Sequence, residues 1–403
     1  MPTLADAKKL EIDMPNTTVT IAVEGVGTMT LDEVIATTAD NTLVIAKDVT
    51  IGHLKVKKGN VRIYGKVNNI SRTDDNQDEF TCVICEEGAT APTNMNNDEK
   101  IKVITPIWDG KTLVEPADKD AAKGKVLYEV SYAAELAWVL RNWNGGSTSP
   151  TRPTTISLMN DIDFGGHEIY FDMTEVGGFH SVTLEGNNYT IKNYKVAGVN
   201  KRAGLFPQGS GVTIKDLIID NAVVGSEQTS TDLYSGALMG IATDQKPNPY
   251  TTVITNVTVQ NSTIKGVNKV GGLVGQANGI HVVSNTDVKN TTIAGYGLDA
   301  GCLGGLYGYL KVEGESSFTN SRMIGGSIVC AEGEDIASRG SSGFIGTLHM
   351  GMASSSLVLT SCEVSSTTDI TQSNTTNPLN EFVGTIRTGT AATLTIDGEN
   401  ISY

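Results

Sequence analysis

Charge is scarce in this chain of 403 residues: Asp, Glu, Lys and Arg make up 19% of it, and the balance is acidic, with a formal net charge of −15. Nucleic-acid binding is not expected, because phosphate needs a clustered basic surface. The one basic run, Lys55-Val56-Lys57-Lys58 with Arg62 and Lys66, lies among alternating apolar residues. It has the pattern of a strand's solvated face or edge, where lysine discourages edge pairing. Long hydrophobic runs are missing too. No stretch approaches the roughly 18 apolar residues of a membrane-spanning helix, so no membrane span is expected. Met1-Pro2-Thr3-Leu4-Ala5-Asp6 lacks the basic and apolar regions of a signal peptide, which leaves a cytosolic protein or a secreted one without its leader.

Cysteine is sparse and odd in number: Cys82, Cys85, Cys302, Cys330 and Cys362 do not suggest a disulfide-stapled scaffold. Cys82 and Cys85 have metal-ligand spacing, but no second pair completes a site, and positions i and i+3 of a strand face opposite sides. Two small, partly buried hydrophobes are expected there, and no metal site or cofactor. The five histidines, His53, His167, His180, His281 and His349, form no metal-spaced pair. Aromatics are 6% of the chain, whereas glycine alone contributes 44 residues. Few charges with abundant Gly, Thr, Ser and Asn fit a turn-rich all-β protein.

What the chain does have is a repeat. A small-apolar-apolar pentapeptide recurs six times: Ala203-Gly204-Leu205-Phe206-Pro207, Gly236-Ala237-Leu238-Met239-Gly240, Gly271-Gly272-Leu273-Val274-Gly275, Gly304-Gly305-Leu306-Tyr307-Gly308, Ser342-Gly343-Phe344-Ile345-Gly346 and Asn380-Glu381-Phe382-Val383-Gly384. Successive copies are 33, 35, 33, 38 and 38 residues apart. Such periodicity marks units that bury their apolar faces only against their neighbours. A second element, apolar-x-Asn-x-x-apolar, is phased with the first: Ile191-Asn193-Val196, Ile214-Asp216-Ile219, Ile254-Asn256-Val259, Val283-Asn285-Val288, Phe318-Asn320-Met323 and Leu359-Ser361-Val364. A third apolar piece, such as Thr263-Ile264-Lys265-Gly266, often lies between them.

Three short strands per unit, each spanning roughly 17–20 Å, would close one turn of a parallel β-helix. Asparagines at equivalent positions would stack as an amide ladder, and the glycines would supply tight corners with positive φ. Upstream, Val49/Val61, Ile51/Ile63 and Val56/Val67 echo one another, and Asn41–Ala46 reads as an earlier strand of the same stack. Residues 1–115 are therefore expected to form a smaller β region, a short solenoid or a sandwich, followed by a polar linker. One helix stands out, with Ser131 as N-cap, a stripe of Leu136, Val139, Leu140 and Trp143, and Gly145-Gly146 as its stop. It is placed to cap the first turn of the repeat, giving a second domain over 126–403.

The paired motifs, preceded by Ile156–Asp163 and Leu184–Ile191, resemble GLUG-repeat proteins over residues 155–385. Pro207 in place of the closing glycine and Asn380-Glu381 in place of the opening one depart from that pattern, both in terminal repeats. The resemblance implies a right-handed parallel β-helix of about six rungs, displayed outside a bacterial cell and adhesin-like. The repeat also occurs within large secreted peptidases as a non-catalytic part, and it carries no catalytic residues to transfer.

A search for chemistry supports no enzyme directly. Glycoside hydrolysis needs two carboxylates about 5–9.5 Å apart. Asn285-Thr286-Asp287 matches only the first motif of the polygalacturonases, and the sole Asp-Asp, Asp74-Asp75, is far upstream, so Asp287 is expected to face solvent. Asp161 and Asp163 share one side of a strand but lack the further ligands calcium requires. Phe171, Phe179 and Tyr170 are expected to pack near the helix rather than bind a ligand. The leading expectation is a non-enzymatic surface protein whose β-helix binds an extracellular glycan or protein. A structural stalk and a polysaccharide-active enzyme with an unrecognised site are the alternatives.

Overall fold

The computed structural model describes residues 8–24, 26–37, 41–73, 81–86, 88–95, 98, 100–119, 126–142, 154–169, 171, 178–197, 201–226, 234–243, 251–296, 302–330, 341–352, 354–370, 382–388 and 393–401. Asp74-Asp75, Trp143, Gly145-Gly146, Tyr170 and Asn380-Glu381 lie outside them. The chain is all-β apart from a single described α-helix, and its sheets are parallel except for a terminal hairpin of Thr393–Ile396 with Glu399–Ile401. It divides into two compact units, Met1–Val114 with Tyr132–Ala134, and Glu115–Ser131 with Glu135–Tyr403.

In the first unit, successive strands alternate between two five-stranded parallel sheets. Val49–Val56 pairs with Met29–Ala36 and Lys66–Arg72, while Gly59–Ile63 lies in the other sheet between Asn41–Ile45 and Thr81–Cys85. The short echo in the sequence is thus the alternation between sheets. True stacking partners are further apart, Ile51 with Val67 and Val61 with Val83. Both members of each echoed pair still face the core, because Val49, Ile51, Val56, Val61, Ile63 and Val67 are all at most 3% exposed. Cys85 joins that core while Cys82 is half-buried. Burial pushes the Cys85 thiol up to about 12, away from the thiolate that metal binding requires.

The second unit realises the long period as strand register. Phe206, Met239, Val274, Tyr307, Ile345 and Val383 align across successive strands. So do Ile156, Leu184, Ile214, Ile254, Val283, Phe318 and Leu359, with Tyr128 ahead of them. All of these except Tyr128 are fully buried or nearly so, and each Ile, Leu or Phe contributes about 1.5–3 kcal/mol by leaving water. A unit holds more than the three strands expected. Thr251–Gln260 bends at Asn256 and is followed by Thr263–Gly266, Lys269–Gly271 and Val274–Ser284, the last running on into the next unit.

Asparagine takes over the turn expected of glycine and keeps the amide ladder expected of it. Asp216, Asn256, Asn285, Asn320 and Ser361 have φ of 53, 55, 49, 48 and 52°, so the motif residue is the one that turns the strand through the left-handed region. Asn and Asp tolerate that region because their short side chains bond locally. None of the described pentapeptide glycines has positive φ. They are glycine for lack of room: a Cβ on Gly308 would lie 2.5 Å from Val270 N, 2.7 Å from Gly275 O and 2.9 Å from Cys302 O. Gly240, Gly275 and Gly346 meet backbone at comparable distances.

Asn193 also moves. Ile191 registers with Ile219, not Ile214, which places Asn193 beside Asn221 in a second left-handed row with Asn261 and Asn290, five residues after the first. Amide bonds run along both rows: Asn256 Nδ2 donates to Asp216 Oδ1 at 2.7 Å, Asn320 Nδ2 to Asn285 Oδ1 at 3.3 Å, and Asn221 Nδ2 to Asn193 Oδ1 at 2.7 Å. Asn256→Ala should therefore cost about 1–2 kcal/mol from the left-handed backbone alone. Asn256→Gly, which relieves the strain and loses only an exposed bond, should cost less than about 1 kcal/mol. Urea unfolding of the two variants measures the difference.

The helix spans Ala133–Arg141 and follows Val126–Val130, the strand at one end of the long sheet's order. Its Leu136, Val139 and Leu140 are buried, and Trp138 meets Tyr128 edge-on with centroids 6.3 Å apart. At its start the Ser131 N–H donates to the Glu135 carboxylate, four residues on, at 2.8 Å, so a first-turn side chain reaches back to a backbone donor ahead of the helix.

Candidate functional site

The left-handed row sets up the main candidate site. Two residues beyond each bend, a side chain re-emerges on the outer face, and parallel register puts Thr258, Asp287, Arg322 and Glu363 side by side on four successive strands. With Asn256, Asn285, Asn320 and Ser361 they form two adjacent rows lining an open groove of about 520 Å3. Neighbouring strands lie about 4.8 Å apart, so the groove offers a new pair of polar side chains at each such step.

Arg322 fixes its centre. Its Nε donates to Asp287 Oδ1 at 2.9 Å and its Nη2 to Oδ2 at 2.7 Å, while Lys289 Nζ reaches Oδ2 at 2.9 Å. Asp287 is therefore not the solvent-facing residue expected; it is 7% exposed, roofed by these two cations. Burial pushes its carboxyl up, but the hydrogen bonds from Arg322 and Lys289 outweigh burial and hold it below the usual carboxylate value. The same bond to Asp287 raises Arg322.

Asp287 and Glu363 sit two strands apart, about 9–10 Å along the row. That spacing is near the range for a pair of glycosidase carboxylates, but Asp287 is unsuited to the acid's part in such a pair. A general acid must hold its proton near neutrality, and Asp287 is pushed the other way with both oxygens committed to Arg322. The groove suits hydrogen bonding to a bound ligand.

Other residues singled out in the sequence fall into structural places. Leu205, Phe206, Leu238, Leu273, Leu306 and Phe344 are fully buried, and Phe382 is half-buried. Gly204, Gly236, Gly271 and Gly304 sit in the same crowded corner as the closing glycines, Gly343 lies against Gly305 of the repeat before it, and Gly384 occupies the closing position in the last repeat. Asp161 Oδ1 accepts from Thr190 N at 2.8 Å, and Asp163 Oδ1 accepts from Gly165 N and Asn193 Nδ2, both at 2.9 Å, so these carboxylates brace the first turns. Phe179 stacks on Phe206 at 4.6 Å. Sequence reasoning missed Arg322 and Glu363. The available signal was a constant offset, since each lies two residues after the motif Asn or its equivalent, as Thr258 and Asp287 do.

No protein-family model and no curated protein matches the chain. Among solved structures, one from Bacteroides ovatus named a "putative immunoglobulin A1 protease" has a TM-score of 0.47 and 15% sequence identity, covering 72% of this chain and 82% of that one. A likeness of that degree transfers neither fold nor activity.

Proposed function

We propose that the second unit is a right-handed parallel β-helix of the GLUG-repeat kind, displayed outside the cell, and that it binds an extracellular glycan in the groove around Arg322. The strand order supports the architecture: from Ile214 onward the motif's leading apolar residues, Ile214, Ile254, Val283, Phe318 and Leu359, each pair with their counterpart one period on, and crossovers between parallel strands are right-handed in about 98% of cases. The observation that carries the ligand class is the two-row lattice itself. Every residue lining it is polar and none is aromatic, whereas protein-binding hot spots are rich in buried Trp and Tyr anchors beside Arg. A saccharide chain lying across the strands would present hydroxyls to amides, hydroxyls and charged groups repeated about every 4.8 Å.

A panel of neutral oligosaccharides tested by calorimetry against the full chain examines this directly. At least one should bind, and Arg322→Ala should weaken it about tenfold or more, the loss of hydrogen bonds to a charged group. Far-UV circular dichroism of the variant controls for folding. An empty panel, or a bound glycan indifferent to Arg322→Ala, overturns the reading.

A further inference from the structure

A different face of the second unit carries the opposite chemistry. The short strands bearing Arg202, Tyr234 and Lys269 pair in register, and so do the longer strands bearing Tyr309, His349 and Arg387. Lys269 bridges the two sets. Its Nζ lies 4.9 Å from the Tyr234 ring centroid and 4.5 Å from that of Tyr309, and it donates to Gln276 Oε1 at 2.7 Å. Tyr309 Oη is 2.8 Å from His349 Nδ1. Lys311, His349 and Arg387 share one register position on three successive strands, hence about 4.8 Å apart. In a chain of net charge −15, this strip collects cations and aromatic rings.

Two of its cations have guanidinium groups without a protein partner among the described residues. Arg202 has buried Nε and Nη1 atoms with no hydrogen-bond partner among the described residues. Leaving such donors unmet is costly, more so on a charged group. Arg387 is exposed, and among the described residues no carboxylate pairs with it; the nearby Glu313 pairs with Lys311. Burial, followed by Lys311 and Arg387, pushes His349 below the usual histidine value, so the ring is neutral near pH 7. A neutral ring accepting from the Tyr309 hydroxyl at Nδ1 keeps Nε2–H as a donor.

We propose that this strip is a second binding site, for an anionic saccharide unit, with Arg387, Lys269 and His349 taking its carboxylate or sulfate and Tyr309 packing against its ring. Planar guanidinium groups suit bidentate oxyanions, and aromatic faces flanked by cations suit a ring with an apolar face. The site is separate from the groove around Arg322 and does not depend on that groove holding a glycan.

The test titrates the full chain with three probes, an oligogalacturonate, a heparin-derived sulfated oligosaccharide and a neutral cello-oligosaccharide. At least one anionic probe should bind, more weakly as salt rises. Arg387→Gln should reduce its affinity tenfold or more. Lys47→Gln, the same loss of charge on the other unit, should leave it unchanged. The His349 imidazole resonances should shift on saturation. Binding of the galacturonate alone assigns the site to carboxylates, of the heparin fragment alone to sulfates, and of both to either anion. Failure of both anionic probes, or equal effects of Arg387→Gln and Lys47→Gln, overturns the proposal. Neutral-probe binding reports on the groove alone, so the two readings fail separately.

Discussion

Valine at Gly308 is expected to remove about 3 kcal/mol or more of stability from the second unit, a large loss for a single buried substitution. The reason is the identity of the obstructing atoms. The new Cβ would press on Val270 N, Gly275 O and Cys302 O, all main chain, and no side chain can swing aside to admit it. Val270 and Gly275 belong to the unit before and are themselves held by parallel ladders. Relief therefore requires moving paired strands together. Gly27→Ala is the contrasting control: its Cβ would find only Val23 Cγ1, at 3.9 Å, and should change stability by less than about 0.5 kcal/mol. Chemical unfolding followed by far-UV circular dichroism, with the two units' transitions fitted separately, provides the measurement. A loss below about 1 kcal/mol at Gly308 would mean that the corner yields and that close approach is not why glycine stands there.

Acid should weaken the protein through His281 before its carboxylates titrate. This ring is fully buried, edge-on to Tyr307 at 5.5 Å, with Nδ1 3.4 Å from the Tyr307 hydroxyl and Nε2 3.4 Å from Asn278 O. Both contacts suit a neutral imidazole that accepts from the tyrosine and donates to the carbonyl. Burial outweighs the carbonyl bond and brings the histidine down to about 4. The unfolded chain's imidazole titrates near 6.5, so between about 6.5 and 4 the unfolded state binds a proton that the folded state refuses. Stability from this group is complete above about 6.5, falls with decreasing pH and levels off below about 4. The total is on the order of 3 kcal/mol. His53, His180 and His349 are shifted in the same direction. The discriminating quantity is therefore the difference in pH dependence between wild type and His281→Gln. If the two curves run parallel from pH 7 to pH 4, His281 is not the group held neutral.

The period was legible in the residues because each unit must present Leu, Val, Ile or Phe to the same core at the same phase. The registers of Phe206 with Met239 and of Ile254 with Val283 follow that phase. The local conformations were less legible. Glycine is compatible with both a left-handed turn and a crowded approach, and only the neighbouring backbone tells them apart. Gly308 is of the second kind and Asn285 makes the turn. Asn193 was misphased because two rows of left-handed residues lie five positions apart and both follow an apolar-x-Asn spelling. In the first unit, the Val49/Val61 echo concealed two sheets that share one apolar alternation.

The functional surfaces were hidden for a related reason. Asp287, Arg322 and Glu363 are separated by whole units, as are Tyr309, His349 and Arg387. Nothing local marks them as neighbours. They become neighbours only when the loops between them hold enough residues to return each strand to matching register.

The sequence by itself determined the all-β class, the repeat and the inward phase of its apolar residues, because hydrophobic burial repeated at a constant period leaves a direct trace in residue order. Only the tertiary structure decided which asparagines bend the strands, which glycines are pressed by a neighbour's backbone and which polar side chains share an outer row. Those outcomes depend on contacts between residues 28 to 41 positions apart in the chain, and such contacts are set by strand register and three-dimensional approach.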